Sequence, residues 1–308
     1  MQKQIWTINK LISWTIDFFK KKNINNPRLS AELLLSYILD FSRMELYLHY
    51  DMVPEENQLK KYRELISKRL DNVPIQYLTS EAYFRKLKIF VDERVLIPRP
   101  ETELLIDEAS EKIKELSLKK KHIKILEIGT GSGAIALSLI DETSKKYPEI
   151  SFEITATEKS PGAVEVAEKN ARMILKEKYP EILKIINCDI LPENNSESDS
   201  VDIPEFDLII SNPPYIRESD FENLPEEVKK YEPREALIAG SKGTEVYAAI
   251  LGRIKNHISR EKAFIILETD PITCRELKRI SENIFDNAFA EIKKDYNNLE
   301  RILTISVF

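Results

Sequence analysis

The stretch that decides the fold is an apolar run leading into a glycine-rich turn, and over residues 123–134 it reads IKILEIGTGSGA. Three of the seven glycines in the chain fall within Gly129–Gly133, and none occurs before residue 129. Glycines clustered between a strand and a helix indicate that the backbone approaches a ligand or adopts a positive φ. The spacing also fits the loose pattern of a dinucleotide-binding turn. A tight turn that binds no ligand could have the same sequence pattern, so this turn alone is weak evidence for a ligand site.

Beyond this turn, strand-like and helix-like segments alternate to the end of the chain. This alternation is typical of a parallel sheet flanked by helices. The first strand lies at 123–128, directly before the glycines. The further predicted strands are 152–157, 183–188, 206–211, 263–267, 288–293 and 301–307. The sequence therefore predicts an α/β fold built on a mostly parallel seven-stranded sheet.

The first quarter of the chain has a different periodicity. Apolar residues recur at helical spacing from Ile5 to Phe19, and Asn26-Pro27 is typical of a helix start. A further helix is expected over residues 54–70. We therefore predict a small helical bundle at 1–73, a connector with a strand pair at 74–100, and the α/β domain at 101–308.

Composition limits the functions to be considered. The chain has 308 residues and a net charge of −6, whereas a general nucleic-acid binder is expected to be basic. No apolar run approaches the ~20 residues of a membrane span, and the N-terminus lacks the pattern of a secretory signal. Two cysteines and three histidines, all in unrelated stretches, predict neither a disulfide framework nor a metal site. We expect a cytoplasmic, metal-free protein without a membrane or direct nucleic-acid partner, with a mobile acidic stretch at 192–205.

Carboxylates lie at or just beyond the ends of three of the predicted strands. Glu158 closes the second strand, where a carboxylate can accept hydrogen bonds from ribose hydroxyls. Glu127 lies two residues before the first glycine; it would repel a pyrophosphate but could help to hold the methionine moiety of S-adenosylmethionine. Asp189 follows the third strand and could accept from an adenine amino group, with Ile190 packing on the ring. Each carboxylate also has a plain alternative, an exposed strand-end or loop charge without a ligand.

The tetrapeptide Asn212-Pro213-Pro214-Tyr215 directly follows the fourth predicted strand. Prolines cannot donate to a sheet ladder, so the strand must stop there, at the edge where open α/β sheets bind ligands. The Asn212 side-chain oxygen and the Pro213 carbonyl could accept the two hydrogens of a planar NH2 group. Tyr215 could pack on that group while Pro214 stiffens the loop. Two such acceptors would orient a weakly nucleophilic nitrogen for methyl transfer; the alternative is a proline-rich turn without function.

Together with these motifs, further segments make the chain resemble the HemK/PrmC family of N5-glutamine methyltransferases, which act on peptide chain release factors. The segments that carry the resemblance are LIPRPETE at 96–103, EIGTGSGAIA at 127–136, SNPPYI at 211–216, PIQYL at 74–78 and EPREAL at 232–237. The resemblance therefore spans about residue 74 to the C-terminus. Of these segments, LIPRPETE is the most specific to the family, whereas N-P-P-Y also occurs in adenine-N6 methyltransferases.

The resemblance implies a class I S-adenosylmethionine-dependent methyltransferase domain preceded by a helical domain that helps to recognise the release factor. The implied target is the glutamine of its Gly-Gly-Gln loop. With the carboxylates above, the expected cofactor contacts are Glu127, Gly129, Thr130, Gly131, Ser132, Gly133, Glu158, Asp189, Ile190 and Asn212. The expected substrate contacts are Asn212, Pro213, Pro214 and Tyr215, of which Asn212, Pro213 and Tyr215 are assigned to catalysis.

Three positions depart from the family pattern. Glu158 stands where aspartate is usual, the loop at 240–243 lacks the usual aspartate, and no glycine follows Glu268. Two other functions stay open: an adenine-N6 methyltransferase, against which the acidic charge argues, and a non-enzymatic binding protein that uses residues 1–72.

Overall fold

The structure, a computed structural model, describes residues 5–192 and 203–308. Most of the acidic stretch at 192–205 therefore lies outside the described residues. The chain forms two compact units: one contains the chain up to Glu81 together with Pro225–Tyr231, and the other contains Ala82–Leu224 and Glu232–Phe308. The predicted boundaries at residues 73 and 100 rest on sequence pattern alone and stay predictions.

The first unit is helical. Its helices are α1 (Ile8–Lys21), α2 (Pro27–Leu39), α3 (Arg43–Leu48), α4 (Glu56–Leu70) and α5 (Ile75–Thr79), joined by a short helix at Glu226–Tyr231. The short α3 has no apolar period to predict it, and it is fixed by a capping box in which Ser42 and Glu45 bond each other's backbone N–H. Helix α5 lies in the segment that the sequence assigned to the connector.

Hydrogen bonds tie the distant segment Pro225–Tyr231 to this unit. The buried Arg69 guanidinium donates to the Glu227 carboxylate at 3.0 Å and to the Val73 carbonyl at 2.9 Å. The Tyr231 hydroxyl donates to the Asp71 carbonyl at 2.9 Å. A sequence pattern cannot reveal this arrangement, because the partners lie about half a chain apart.

The second unit contains the large sheet. Its strands are β1 (Glu81–Phe84), β2 (Leu87–Phe90), β3 (His122–Ile128), β4 (Ser151–Glu158), β5 (Leu183–Asn187), β6 (Leu208–Ser211), β7 (Ile216–Arg217), β8 (Ile238–Gly240), β9 (Ala263–Glu268), β10 (Ala288–Lys294) and β11 (Glu300–Val307). Its helices are α6 (Glu103–Ser117), α7 (Ala134–Lys146), α8 (Pro161–Leu175), α10 (Glu245–Ile254) and α11 (Cys274–Ile284). The short helix Glu226–Tyr231 of the first unit is α9. The large sheet has the order β10-β11-β9-β6-β3-β4-β5, and β11 runs antiparallel to the other six strands. The predicted mostly parallel seven-stranded sheet is confirmed.

The register of the central strands sets the positions of the residues that follow them. Ile128 pairs with Thr157 on one side and with Ser211 on the other, and Ser211 pairs with Leu267. The next residues of these four strands are therefore side by side at the carboxyl edge of the sheet. These residues are Gly129, Glu158, Asn212 and Glu268.

Helices pack on the faces of this sheet, with α6 against β3, β6 and β9, and α8 against β4 and β5. Among the helices of the described residues, none is long and apolar enough to cross a membrane. The same part of the chain contains no group of three or more acidic, histidine or cysteine side chains arranged to hold a metal ion.

Candidate active site

The glycine turn after β3 forms a backbone cradle. Gly129 and Gly131 have φ of +72° and +54°, a conformation that side chains with a Cβ rarely adopt. The turn is held by Thr157, whose carbonyl accepts from the N–H groups of Gly129 at 2.8 Å and Thr130 at 3.1 Å. A Cβ added at Gly129 or Gly131 would meet no atom within 4 Å. The cradle therefore faces open space on the side where side chains would otherwise stand.

Glu158 touches this cradle directly. One oxygen of its carboxylate accepts from the Gly131 N–H and the other from the Ser160 N–H, both at 2.9 Å. A carboxylate has about four lone-pair sites, so each oxygen keeps capacity for a further donor such as a hydroxyl. The extra methylene of glutamate, compared with the usual aspartate, does not move the group away from the turn.

Glu127 is buried beneath the cradle, with 1% of its surface exposed. Its Oε2 accepts from the Thr130 hydroxyl at 2.9 Å, but its Oε1 has no partner among the described residues. Burial raises the pKa of Glu127 to about 8, because the charged form loses its hydration. An unpaired buried carboxylate of this kind favours an approaching cation, which would restore the lost interactions.

Asp189 and Ile190 follow β5 at the same edge. Asp189 is exposed, and its carboxylate lies 3.4 Å from the Lys159 ammonium. Ile190 has a φ of +65°, which is strained for a β-branched residue. Its carbonyl accepts from the Thr157 hydroxyl at 2.9 Å, and the Leu191 N–H bonds the Asp189 carbonyl at 2.8 Å. These bonds hold the strained turn in place, a feature that no sequence pattern indicated.

The tetrapeptide after β6 is partly covered, with Pro213 buried and Asn212, Pro214 and Tyr215 half-buried. The Asn212 Nδ2 donates to the Thr102 hydroxyl at 3.0 Å, which leaves Oδ1 as the acceptor of this amide. Tyr215 packs against the core of the sheet, and burial raises the pKa of its phenol well above the ordinary value.

Sequence reasoning missed Thr102 and Glu268. Thr102 closes the short turn Pro100–Thr102 before α6 and is 4% exposed, whereas Glu268 ends β9 and is 1% exposed. Glu268 Oε2 has no partner in the described parts of the chain. Burial raises the pKa of Glu268 to about 7. Both residues lay in segments singled out in the sequence, but their side chains had no assigned role.

Two motif segments from distant parts of the chain hold each other beside this site. Glu232, nearly fully buried, accepts from the Arg99 guanidinium and from the Ile97 N–H at 3.2 Å. The segment containing Arg99 is therefore anchored within its unit, directly before Thr102. A connector that merely turns would not need such an anchor.

Two further supports were also missed. The Asn170 side chain on α8 donates to the Ser132 carbonyl at 2.8 Å and pairs with both backbone groups of Phe90. A Cβ on Gly243, which has a φ of +81°, would lie 3.0 Å from the Tyr215 carbonyl. Asn170 thus braces the cradle, and the loop at Gly243 approaches the tetrapeptide too closely for a side chain.

Comparison with known proteins is consistent with this geometry. Two family models match the chain: the PrmC N-terminal domain over residues 10–79 and the methyltransferase small domain over residues 102–228. A release factor glutamine methyltransferase of Rhodopirellula baltica is 36% identical over 302 residues, which cover 97% of this chain and 96% of that protein. One of Chlorobaculum tepidum is 37% identical over 306 residues, covering 98% of both chains.

These matches run over both units and include every segment quoted from the sequence. The predicted methyltransferase fold is therefore confirmed by the sheet and by the relatives together. The chain belongs to the release factor glutamine methyltransferase family.

Proposed function

We propose that this chain transfers a methyl group from S-adenosylmethionine to the side-chain amide nitrogen, N5, of the glutamine in the Gly-Gly-Gln loop of peptide chain release factors. The observation that carries the proposal is the strand register, which aligns Gly129, Glu158 and Asn212 at one sheet edge. The names and near-complete coverage of the relatives support the substrate class. A cytoplasmic location, without direct nucleic-acid or membrane partners, is part of the same proposal.

The residues after β3 and β4 fit the cofactor. The open space before Gly129 and Gly131 accepts a ligand close to the backbone, and the unpaired Oε1 of Glu127 suits an ammonium group. Glu158 has free lone pairs for ribose hydroxyls, and the turn at Asp189 and Ile190 would meet the adenine. When bound, S-adenosylmethionine supplies a methyl group attached to a sulfonium leaving group. The side chains of Thr130 and Ser132 are buried, so a contact of these residues with the cofactor would come from their backbone.

The residues after β6 fit the acceptor. Asn212 Oδ1 and the Pro213 carbonyl would accept the two hydrogens of the glutamine NH2 group and fix the direction of its nitrogen. They would also stabilise the positive charge that develops on the nitrogen. Tyr215 would pack on the amide plane. The nitrogen loses its extra proton to these acceptors or to water, so no strong general base is needed.

The test is incubation of the purified chain with labelled S-adenosylmethionine and a purified release factor, followed by mass spectrometry of the modified peptide. We expect one methyl group on the glutamine of the Gly-Gly-Gln loop and none when that residue is replaced by alanine. Label in DNA or RNA but not in protein would instead favour an adenine-N6 methyltransferase. Failure to bind S-adenosylmethionine in calorimetry would favour a non-enzymatic binding protein.

A further inference from the structure

One threonine in β4 holds two turns of the sheet edge at once. The Thr157 carbonyl accepts from the N–H groups of Gly129 and Thr130, and the Thr157 hydroxyl lies 2.9 Å from the Ile190 carbonyl. Strand β4 pairs with β3 on one side and with β5 on the other, and the two turns follow these neighbouring strands. Thr157 is fully buried, so bulk water does not compete for its bonds.

The direction of the hydroxyl bond follows from its partner. A carbonyl oxygen only accepts, so the Thr157 hydroxyl must be the donor. It has a single hydrogen, and the other carbonyl that it can reach, that of Glu127, lies 3.4 Å away. The hydrogen is therefore donated to the nearer carbonyl of Ile190, at 2.9 Å.

The turn that accepts this bond is strained. The Leu191 N–H donates to the Asp189 carbonyl at 2.8 Å, which closes a three-residue γ-turn around Ile190. With a φ of +65° at the central residue, this is the rarer of the two kinds of γ-turn, and it is unfavourable for a β-branched side chain. A residue keeps such a conformation only where the surrounding structure fixes it, and residues of this kind cluster at ligand-binding sites.

Two side chains from other elements fix this turn. Thr157 in β4 bonds the Ile190 carbonyl, and the Arg253 guanidinium in α10 donates to the Leu191 carbonyl at 2.8 Å. Both bonds are made to backbone groups, so neither uses the side chain of Asp189 or Ile190. Asp189 is exposed, and Ile190 is half-buried, packing in part against the core of the sheet. The turn therefore presents a carboxylate and a branched apolar group at the carboxyl edge of the sheet.

We propose that Thr157 is a positioning residue for the adenine end of the cofactor: its hydroxyl keeps the turn in the conformation that brings Asp189 and Ile190 to the base. The inference rests on the proposed function, because it concerns how the same cofactor is bound. In this arrangement Asp189 accepts from the exocyclic amino group and Ile190 packs on the ring. Without the hydroxyl, the backbone at Ile190 relaxes to a negative φ, and both side chains move away from the base.

The test measures binding to the full-length chain by calorimetry with S-adenosylhomocysteine, which has no methyl group to transfer. Thr157→Val keeps the shape and removes the hydroxyl, and we expect affinity to fall about tenfold because a buried carbonyl loses its donor. The glycine turn keeps its bonds, since the Thr157 carbonyl belongs to the backbone. Thr157→Ser keeps the hydroxyl and should restore most of the affinity. Wild-type affinity in Thr157→Val, or an equal loss in Thr157→Ser, would overturn the proposal.

A second ligand separates positioning of the turn from a general loss of stability. S-inosylhomocysteine differs from S-adenosylhomocysteine only in the base, where oxygen replaces the exocyclic amino group. The wild type should prefer the adenine form about tenfold, and in Thr157→Val the preference should fall to about threefold or less. Glu127→Gln, at the other end of the cofactor, should weaken both ligands equally and keep the preference. An unchanged preference in Thr157→Val would assign its lower affinity to a loosened fold and reject the positioning role.

The matched control makes the same chemical change away from the site. Thr143 is a buried threonine of α7 whose hydroxyl has no partner among the described residues. Thr143→Val should therefore keep both the affinity and the preference of the wild type. If Thr143→Val lost the preference as Thr157→Val does, the effect would not be specific to the turn and the proposal would fall.

A double-mutant cycle tests whether the hydroxyl acts through the strained turn. Glycine adopts a positive φ without strain, so Ile190→Gly needs no donor to hold the turn. This variant should itself bind more weakly, since the group that packs on the ring is lost. Adding Thr157→Val to it should lower the affinity further by less than about twofold. A further loss of about tenfold would show that the hydroxyl acts independently of Ile190.

These measurements need no methyl transfer, so the inference and the proposed function can fail separately. If the chain binds S-adenosylhomocysteine but methylates no release factor, the proposed function fails, and the preference measured in Thr157→Val still decides the role of Thr157. If the chain methylates the release factor and Thr157→Val keeps the wild-type preference, the positioning role fails and the proposed function stands.

Discussion

The carboxyl edge of the sheet has two halves, a β3–β4 half and a β6–β9 half. In the β3–β4 half, polar groups are hydrogen-bonded to partners close in sequence, whereas in the β6–β9 half the partner of Asn212 is distant in sequence. Thr130 and Glu127 are three residues apart, and Gly131 and Glu158 are 27 apart. Asn212 and Thr102 are separated by 110 residues. The β3–β4 half leaves open space in front of its glycines, while in the β6–β9 half one amide donates to the buried hydroxyl of Thr102.

This difference suggests a division of labour between the two halves. A glycine turn that faces open space suits a ligand that is bound tightly and then exchanged. An amide held by a buried partner suits a substrate group whose nitrogen must point at the methyl group of the cofactor. Changes in the β3–β4 half should therefore alter cofactor affinity, and changes in the β6–β9 half should alter turnover.

The largest effect is expected for Asn212→Ala, which removes the oriented acceptor from the β6–β9 half. We expect kcat to fall about 100- to 1000-fold, the usual cost of losing a group that stabilises developing charge. Cofactor affinity should stay within about tenfold, since one lost hydrogen bond costs ~1 kcal/mol. Single-turnover kinetics and calorimetry with S-adenosylmethionine measure the two quantities. A variant with wild-type turnover would remove Asn212 from the mechanism, and one that binds no cofactor would break the division between the halves.

The next effect concerns Glu127, in the β3–β4 half. Its pKa of about 8 means that the carboxyl is mostly protonated at pH 6.5, whereas pairing with the cofactor ammonium requires the ionised form. Binding should therefore release a proton, and affinity should rise about tenfold per pH unit between pH ~6 and ~7.5, where an α-amino group stays protonated. Calorimetry with S-adenosylhomocysteine in buffers of different ionisation enthalpy measures the release.

Glu127→Gln is the control for that experiment, since it keeps the shape and cannot ionise. Its affinity should be weaker and should not change with pH over the same range, and no proton should be released. Proton release of the same size in this variant would assign the linkage to another group. A pH-independent affinity in the wild type would argue against contact between Glu127 and the ammonium.

More of the β3–β4 half than of the β6–β9 half could be predicted from the sequence, because its hydrogen-bond partners lie closer together in the chain. The cradle, Glu127 and Glu158 follow strands with clear apolar runs, so their proximity could be predicted from the order of segments in a parallel sheet. The tetrapeptide was equally visible, because two prolines after a strand have a local meaning.

The partners of that tetrapeptide could not be predicted in this way. That Thr102 bonds Asn212 depends on where α6 begins relative to β6, and that Glu268 lies beside Asn212 at the sheet edge depends on the pairing of β6 with β9. Periodicity carries no such information. The strain at Ile190 was hidden for a similar reason, since its turn is imposed by Thr157 and not by its own residue type.

The smallest effect is expected for a single methyl group added to the cradle. In Gly131→Ala the new Cβ meets no protein atom but stands in the open space, at a φ of +54° that costs an alanine about 1 kcal/mol. We expect cofactor affinity to fall about three- to tenfold, with kcat at saturating cofactor nearly unchanged. Gly252→Ala is the matched control, because Gly252 lies exposed in the helix α10, where alanine is favoured. That variant should gain stability and keep wild-type affinity; a loss of kcat in Gly131→Ala without a loss of affinity would show that the cradle also aims the reacting groups.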